Sequence, residues 1–93
     1  MIRHQNLWLT IFDDESLQTL INQEQLRGAK RGKFNSGHEM ASVIREEFEE
    51  FWDSVKNDNP DPLELLHICA TSKRALVELC ERARYEMTHE DEN

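Results

Sequence analysis

Cysteine, proline and glycine are all scarce in this chain of 93 residues, at 2, 2 and 3 copies. The cysteines, Cys69 and Cys80, stand eleven positions apart inside an apolar helical pattern. Eleven helical residues span about 16 Å, whereas a disulfide needs Cα atoms within about 7 Å. Free, buried thiols in a reducing cytoplasm are therefore expected, and no CxxC or Cys/His spacing for zinc occurs. Long hydrophobic runs are missing too, so nothing matches the ~18–20 apolar residues of a transmembrane helix. The short apolar run at residues 7–12 is interrupted by Thr10 and followed by Asp13-Asp14-Glu15, without the small-residue cleavage site of a signal peptide. A cytoplasmic protein with no membrane segment is the expectation. Positive charge is in the minority: 11 Lys and Arg face 19 Asp and Glu, a net charge of −8. That balance argues against binding nucleic acid or an anionic membrane through net charge. It leaves room for a phosphorylated small ligand, because carboxylates that hold a cation bind phosphate through the metal.

Abundant Glu, Leu, Arg and Lys, with few β-branched residues, favour helices throughout. The glycines (Gly28, Gly32, Gly37) and the prolines (Pro60, Pro62) fall in two clusters that divide the chain into three segments. The first, about residues 13–27, carries Leu17, Leu20 and Ile21 at helical spacing, with Asp13 or Asp14 as N-cap. Residues 28–35 break the pattern and form the only basic patch, with Lys30, Arg31 and Lys33. This stretch is expected to be mobile and to order over a phosphate-bearing ligand. The second segment starts at Ser36, which makes a capping box with Glu39. Met40, Ile44, Phe48, Phe51, Trp52 and Val55 then mark an amphipathic helix to about Lys56, with Phe48, Phe51 and Trp52 expected in the core. After the turn at residues 57–61, Asp61 caps a third helix of about residues 62–87, with Pro62 at its first position.

One apolar stripe of that third helix runs through Leu65, Cys69, Leu76, Cys80 and Ala83. It is longer than the first segment can cover, so a second copy of the chain is expected to cover the remainder. The fold expected is all-α, a single domain built as a helical hairpin bundle of about three helices and completed as a homo-oligomer, a dimer or tetramer. Residues 1–12 form an N-terminal segment and residues 89–93 a polar tail expected to fray. Trp8 and Phe34 lie in irregular segments, where each can cap the bundle, line a pocket or join an interface.

Helical geometry puts Glu39, Glu46, Glu50 and Asp53 on one narrow face of the second helix, with Glu47 and Glu49 on its flanks. The polar stripe of the third helix holds Glu64, His67, Thr71, Arg74 and Glu78. Across the hairpin, Glu46, Glu47 and Glu50 can face Glu64 and His67. Oxygen ligands one turn apart on two facing helices suit magnesium or manganese. The plainer reading is that an acidic helix face is solvated surface and that His67 is an ordinary, partly exposed polar residue.

Two stretches carry a family resemblance: Gly32-Lys33-Phe34-Asn35-Ser36-Gly37-His38-Glu39, and Val43-Ile44-Arg45-Glu46-Glu47-Phe48-Glu49-Glu50-Phe51-Trp52-Asp53. Together they resemble the MazG-like, all-α nucleoside triphosphate pyrophosphohydrolases, closest to short bacterial and phage-type members. That family pairs Glu-Glu-x-x-Glu on one helix with Glu-x-x-Asp on the next. Glu46-Glu47-Phe48-Glu49-Glu50 matches the first motif, and Glu64-Leu65-Leu66-His67 stands in place of the second, with His67 where the family has Asp. The resemblance implies Mg2+ (or Mn2+) held by Glu47, Glu50, Glu64 and His67, with Glu46, Glu47, Glu50 and Glu64 catalytic. It also implies a nucleotide contacted by Lys30, Arg31, Lys33, His38, Glu39 and Arg74. The imidazole weakens a hard-metal site, since nitrogen suits zinc, nickel or iron better. The reading from a different class is a non-enzymatic helical interaction protein with an acidic face.

Overall fold

The computed structural model describes residues 11–89, and the account below concerns those residues. They form three helices, α1 (Asp14–Ala29), α2 (Gly37–Lys56) and α3 (Pro62–His89), in an all-α bundle without strands. No helix among them is long and apolar enough to cross a membrane. Trp8, most of the apolar run at residues 7–12 and all of the polar tail beyond His89 lie outside the described residues.

Each helix starts where its capping residue dictates. The Asp13 carboxylate accepts from Ser16 N–H at 2.8 Å, while the Ser16 hydroxyl accepts from Asp13 N–H at 3.2 Å, a reciprocal box that fixes the α1 start. Those bonds hold the Asp13 carboxyl below the usual carboxylate range. Ser36 Oγ accepts from Glu39 N–H at 3.1 Å, but Glu39 reaches back to Asn35, accepting from its side-chain amide at 3.0 Å. Only half of the predicted box therefore forms, and the returning bond falls one residue earlier. Asp61 caps α3 by accepting from Leu63 N–H at 2.9 Å, and the preceding turn places Asp58 at φ 54.

Helix α3 is the shared element: α1 packs on one side of it and α2 on another. Leu20 and Ile21 of α1 meet Leu66 and Ala70 of α3, and Met40 of α2 meets Ala75. The small Ala70 and Ala75 let both helices approach closely. Phe34 joins the second cluster at 4% exposure. Its N–H donates to Glu78 Oε1 at 3.1 Å, and its carbonyl accepts from Arg82. The loop expected to be wholly mobile is thus anchored at one end, while Lys30, Arg31, Gly32 and Lys33 remain exposed.

The packing inverts one expectation. Neither α1 nor α2 covers the stripe of Leu65, Cys69, Leu76, Cys80 and Ala83, all of which are exposed. The two cysteines are free, as the spacing implied, but they are exposed rather than buried. Phe48 and Trp52, expected in the core, are 53% and 49% exposed, and Phe51 is half-buried. The reason is geometric: α1 and α2 pack around the polar side of α3, and the apolar stripe points the opposite way. The Cα radius of gyration is 15.9 Å, against about 12 Å for a compact chain of similar length.

Because Phe34 is the one large side chain that ties the loop to α3, Phe34→Ala should cost about 3–5 kcal/mol. Urea unfolding checks this, and a loss below about 1 kcal/mol would contradict the anchoring role.

Candidate functional site

The three helices enclose a cavity of about 330 Å³, within the range of small-molecule sites. Its wall is formed by Glu24, Arg27 and Gly28 of α1, Arg31 of the loop, Glu47 of α2, and His67, Thr71 and Arg74 of α3. Arg27 pairs with Glu24, and the charge of Arg74 acts on Glu47. The polar stripe of α3 therefore points into the bundle. His67 and Arg74 are seven residues apart, two turns of helix, and face the same groove.

The carboxylates define the chemistry. Glu47 Oε1 accepts from the Thr71 hydroxyl at 3.0 Å, while Glu47 Oε2 is buried with no hydrogen-bond partner. Desolvation pushes the Glu47 carboxyl above the ordinary glutamate range, against the opposing pull of Thr71 and His67. One turn toward the hairpin, Glu64 and Glu50 lie within hydrogen-bonding reach of each other. Desolvation raises the Glu64 carboxyl too, and the hydrogen bond and charge of Glu50 raise it further. Glu64 Oε2 is buried and unpartnered by any hydrogen bond, with His67 Nδ1 3.7 Å away. A carboxylate beside Glu64 disfavours its ionised form, and a cation placed there would favour it.

Among the described residues, no three His, Cys, Asp or Glu side chains are grouped to hold a metal ion as they stand. The donor set nevertheless fits a hard cation in kind: two buried carboxylate oxygens lack any donor, and a third carboxyl, from Glu50, stands beside them. Glu46, one of the predicted catalytic residues, is exposed. Arg31 and Arg74 line the cavity, whereas Lys30, Lys33, His38 and Glu39 do not. Lys33 instead lies 3.7 Å from Glu81, and Glu39 is committed to the start of α2.

The structure adds Glu24, Arg27 and Thr71 to the cavity wall. Arg27 pairs with Glu24 at 3.3 Å. Sequence alone offers no more than a basic residue at a helix C-terminus, an ordinary complement to the helix dipole. Thr71 sits on the predicted polar stripe, one turn beyond His67, and that spacing was the available signal. Comparison of the chain with protein-family models, curated proteins and solved structures yields no match.

The raised carboxyls predict a pH dependence. A group whose pKa is higher in the folded state contributes stability below its unfolded pKa, and that contribution is lost as pH rises through the folded value. Glu64→Gln removes this loss. Its melting temperature relative to wild type should therefore climb as pH rises from about 4.5 toward neutrality. Thermal unfolding across that range checks the sign, and a pH-independent difference would contradict burial of the charged form.

Proposed function

We propose that this chain is a divalent-cation-dependent nucleotide pyrophosphohydrolase of the MazG-like kind, cleaving a nucleoside triphosphate to the monophosphate and pyrophosphate. The observation that carries the reading is a cavity lined by Glu47 and by Arg27, Arg31 and Arg74, next to Glu64, with one buried oxygen each on Glu47 and Glu64 lacking a hydrogen bond. That combination matches a ligand that is itself a polyanion with a bound cation.

In this reading Glu47, Glu50 and Glu64 hold Mg2+ or Mn2+, with His67 beside Glu64. The cation, when bound, supplies charge to activate water and stabilise the leaving pyrophosphate. Thr71 fixes the rotamer of Glu47 through its 3.0 Å hydrogen bond. Burial and the neighbouring Glu50 favour the protonated form of Glu64, and a cation held there would favour its ionised form. The arginines offset the charge of the phosphate chain and orient it. Water adds to phosphorus, the phosphoanhydride bond breaks, and pyrophosphate leaves with its electron pair.

Assembly belongs to the same reading. A second copy of the chain covers the face formed by Phe48 and Trp52 of α2 and by Leu65, Leu76 and Leu79 of α3, all exposed in one copy. Five large apolar side chains on adjacent helices exceed the scattered exposure normal for a monomer. Light scattering should give at least twice the 11.0 kDa of one chain at micromolar concentration, and Leu76→Asp should dissociate it. A wild-type monomer would sink the assembly.

The activity is tested with a nucleoside triphosphate panel and pyrophosphate detection in Mg2+ and Mn2+. Pyrophosphate release should fall at least about a hundredfold in Glu50→Gln. His67→Asp, which replaces a nitrogen by an anionic oxygen, should raise turnover in Mg2+. Absence of release from every nucleotide, with His67→Asp equally inert, would favour the non-enzymatic reading.

A further inference from the structure

Among the described residues, Arg74 is held unlike the other cations. Its guanidinium carbon lies 4.0 Å from the centre of the Phe34 ring. A Cβ placed on Gly28 would stand 2.8 Å from Arg74 Nη1 and 3.6 Å from its Cζ. The guanidinium thus lies between an aromatic ring and the α1 backbone at Gly28, where an added methyl would displace its Nη1. The ring is itself immobilised, since the Phe34 N–H and carbonyl are both bonded to α3, through Glu78 and Arg82. Glu78 is only 7% exposed, so the support is part of the core. Among the described residues, Arg74 makes no ion pair with a carboxylate, and its buried Nε has no hydrogen-bond partner.

That combination has a chemical meaning. An arginine held by a carboxylate has its donors occupied and its charge offset. An arginine held by an aromatic face keeps donors that no carboxylate occupies, and these can turn to an oxyanion. We propose that Arg74, preset by Gly28 and Phe34, is the centre of an oxyanion subsite completed by Arg27 and Arg31, and that this subsite binds phosphoryl groups whether or not a metal is present. The assignment deepens the nucleotide reading of the cavity and rests on it for the natural ligand alone. Gly28 and Phe34 are positioning residues, which act through Arg74.

The test is titration with inorganic pyrophosphate in EDTA, where no metal-dependent hydrolysis intervenes, followed by calorimetry and by the NMR signal of Arg74 Nε–Hε. Wild type should bind, with that signal displaced by the Phe34 ring current and moving on addition of ligand. Arg74→Gln should weaken binding by about tenfold or more. Gly28→Ala should weaken binding comparably although alanine is the better helix former, a result that local destabilisation would not give. Phe34→Leu should abolish the ring-current shift and weaken binding, whereas Phe34→Tyr should keep both. Arg45→Gln, an exposed cation on α2 outside the cavity, should bind as wild type does. Circular dichroism identifies any variant that has lost its helices, and Arg74→Lys, which keeps charge but loses the planar fork, should then bind more weakly than wild type. A nucleoside triphosphate binding more tightly than inorganic tripolyphosphate assigns the subsite to a nucleotide chain, and equal affinities assign it to free polyphosphate. No pyrophosphate binding by wild type, undiminished binding by Arg74→Gln, or an equal loss in Arg45→Gln would each overturn the subsite. Because hydrolysis plays no part, a failed turnover assay leaves these outcomes unaffected.

Discussion

Glu50 and Glu64 stand within hydrogen-bonding reach on facing helices, and one turn along those helices Glu47 and His67 line the adjoining cavity. Placing carboxylates between two helices opposes helix association unless a positive charge comes with them. The side chains at hand offset this in part: His67 Nδ1 lies 3.7 Å from Glu64, and the Thr71 hydroxyl donates to one oxygen of Glu47. One oxygen each on Glu47 and Glu64 remains buried without a hydrogen bond. Burial of these groups at the α2–α3 seam disfavours their ionised forms. The raised carboxyls, the groove and the lean core all follow from that seam.

The core is lean because the inward side of α3 is given to polar groups. Leu66, Ala70 and Ala75 are the apolar contacts that α1, α2 and the Phe34 loop find there, and Glu78 is buried among them. The wider apolar stripe of α3 faces out, together with Phe48 and Trp52. The chain thus turns polar groups inward and leaves a wide apolar face exposed. For a chain this small, association is a common way to supply what a single core lacks.

Helix positions were legible in the sequence because they depend on local chemistry. Asp13, Ser36 and the Asp61-Pro62 pair mark the starts of α1, α2 and α3 within a residue. The direction in which α3 faces was not legible. Amphipathic spacing states which side is apolar, but not whether a neighbour in the same chain or in another copy covers that side. Phe34 was opaque for another reason. It is a lone aromatic in a Gly- and Lys-rich loop, and the Glu78 and Arg82 groups that hold it lie 44 and 48 positions away. The carboxylates of the candidate site were visible as a pattern of Glu47, Glu50, Glu64 and His67. The arginines were only partly visible, since Arg27 enters the cavity through the packing of α1, which no local signal specifies.

In the proposed site, a divalent cation would displace the proton that burial and Glu50 favour on Glu64. Calorimetric titration with Mn2+ between about pH 5 and 7, in buffers of different ionisation enthalpy, measures the protons released on binding. The account predicts binding with net proton release that grows toward the acidic end of that range and is lost in Glu64→Gln. Binding without proton release, or no Mn2+ binding at any of these pH values, would contradict it.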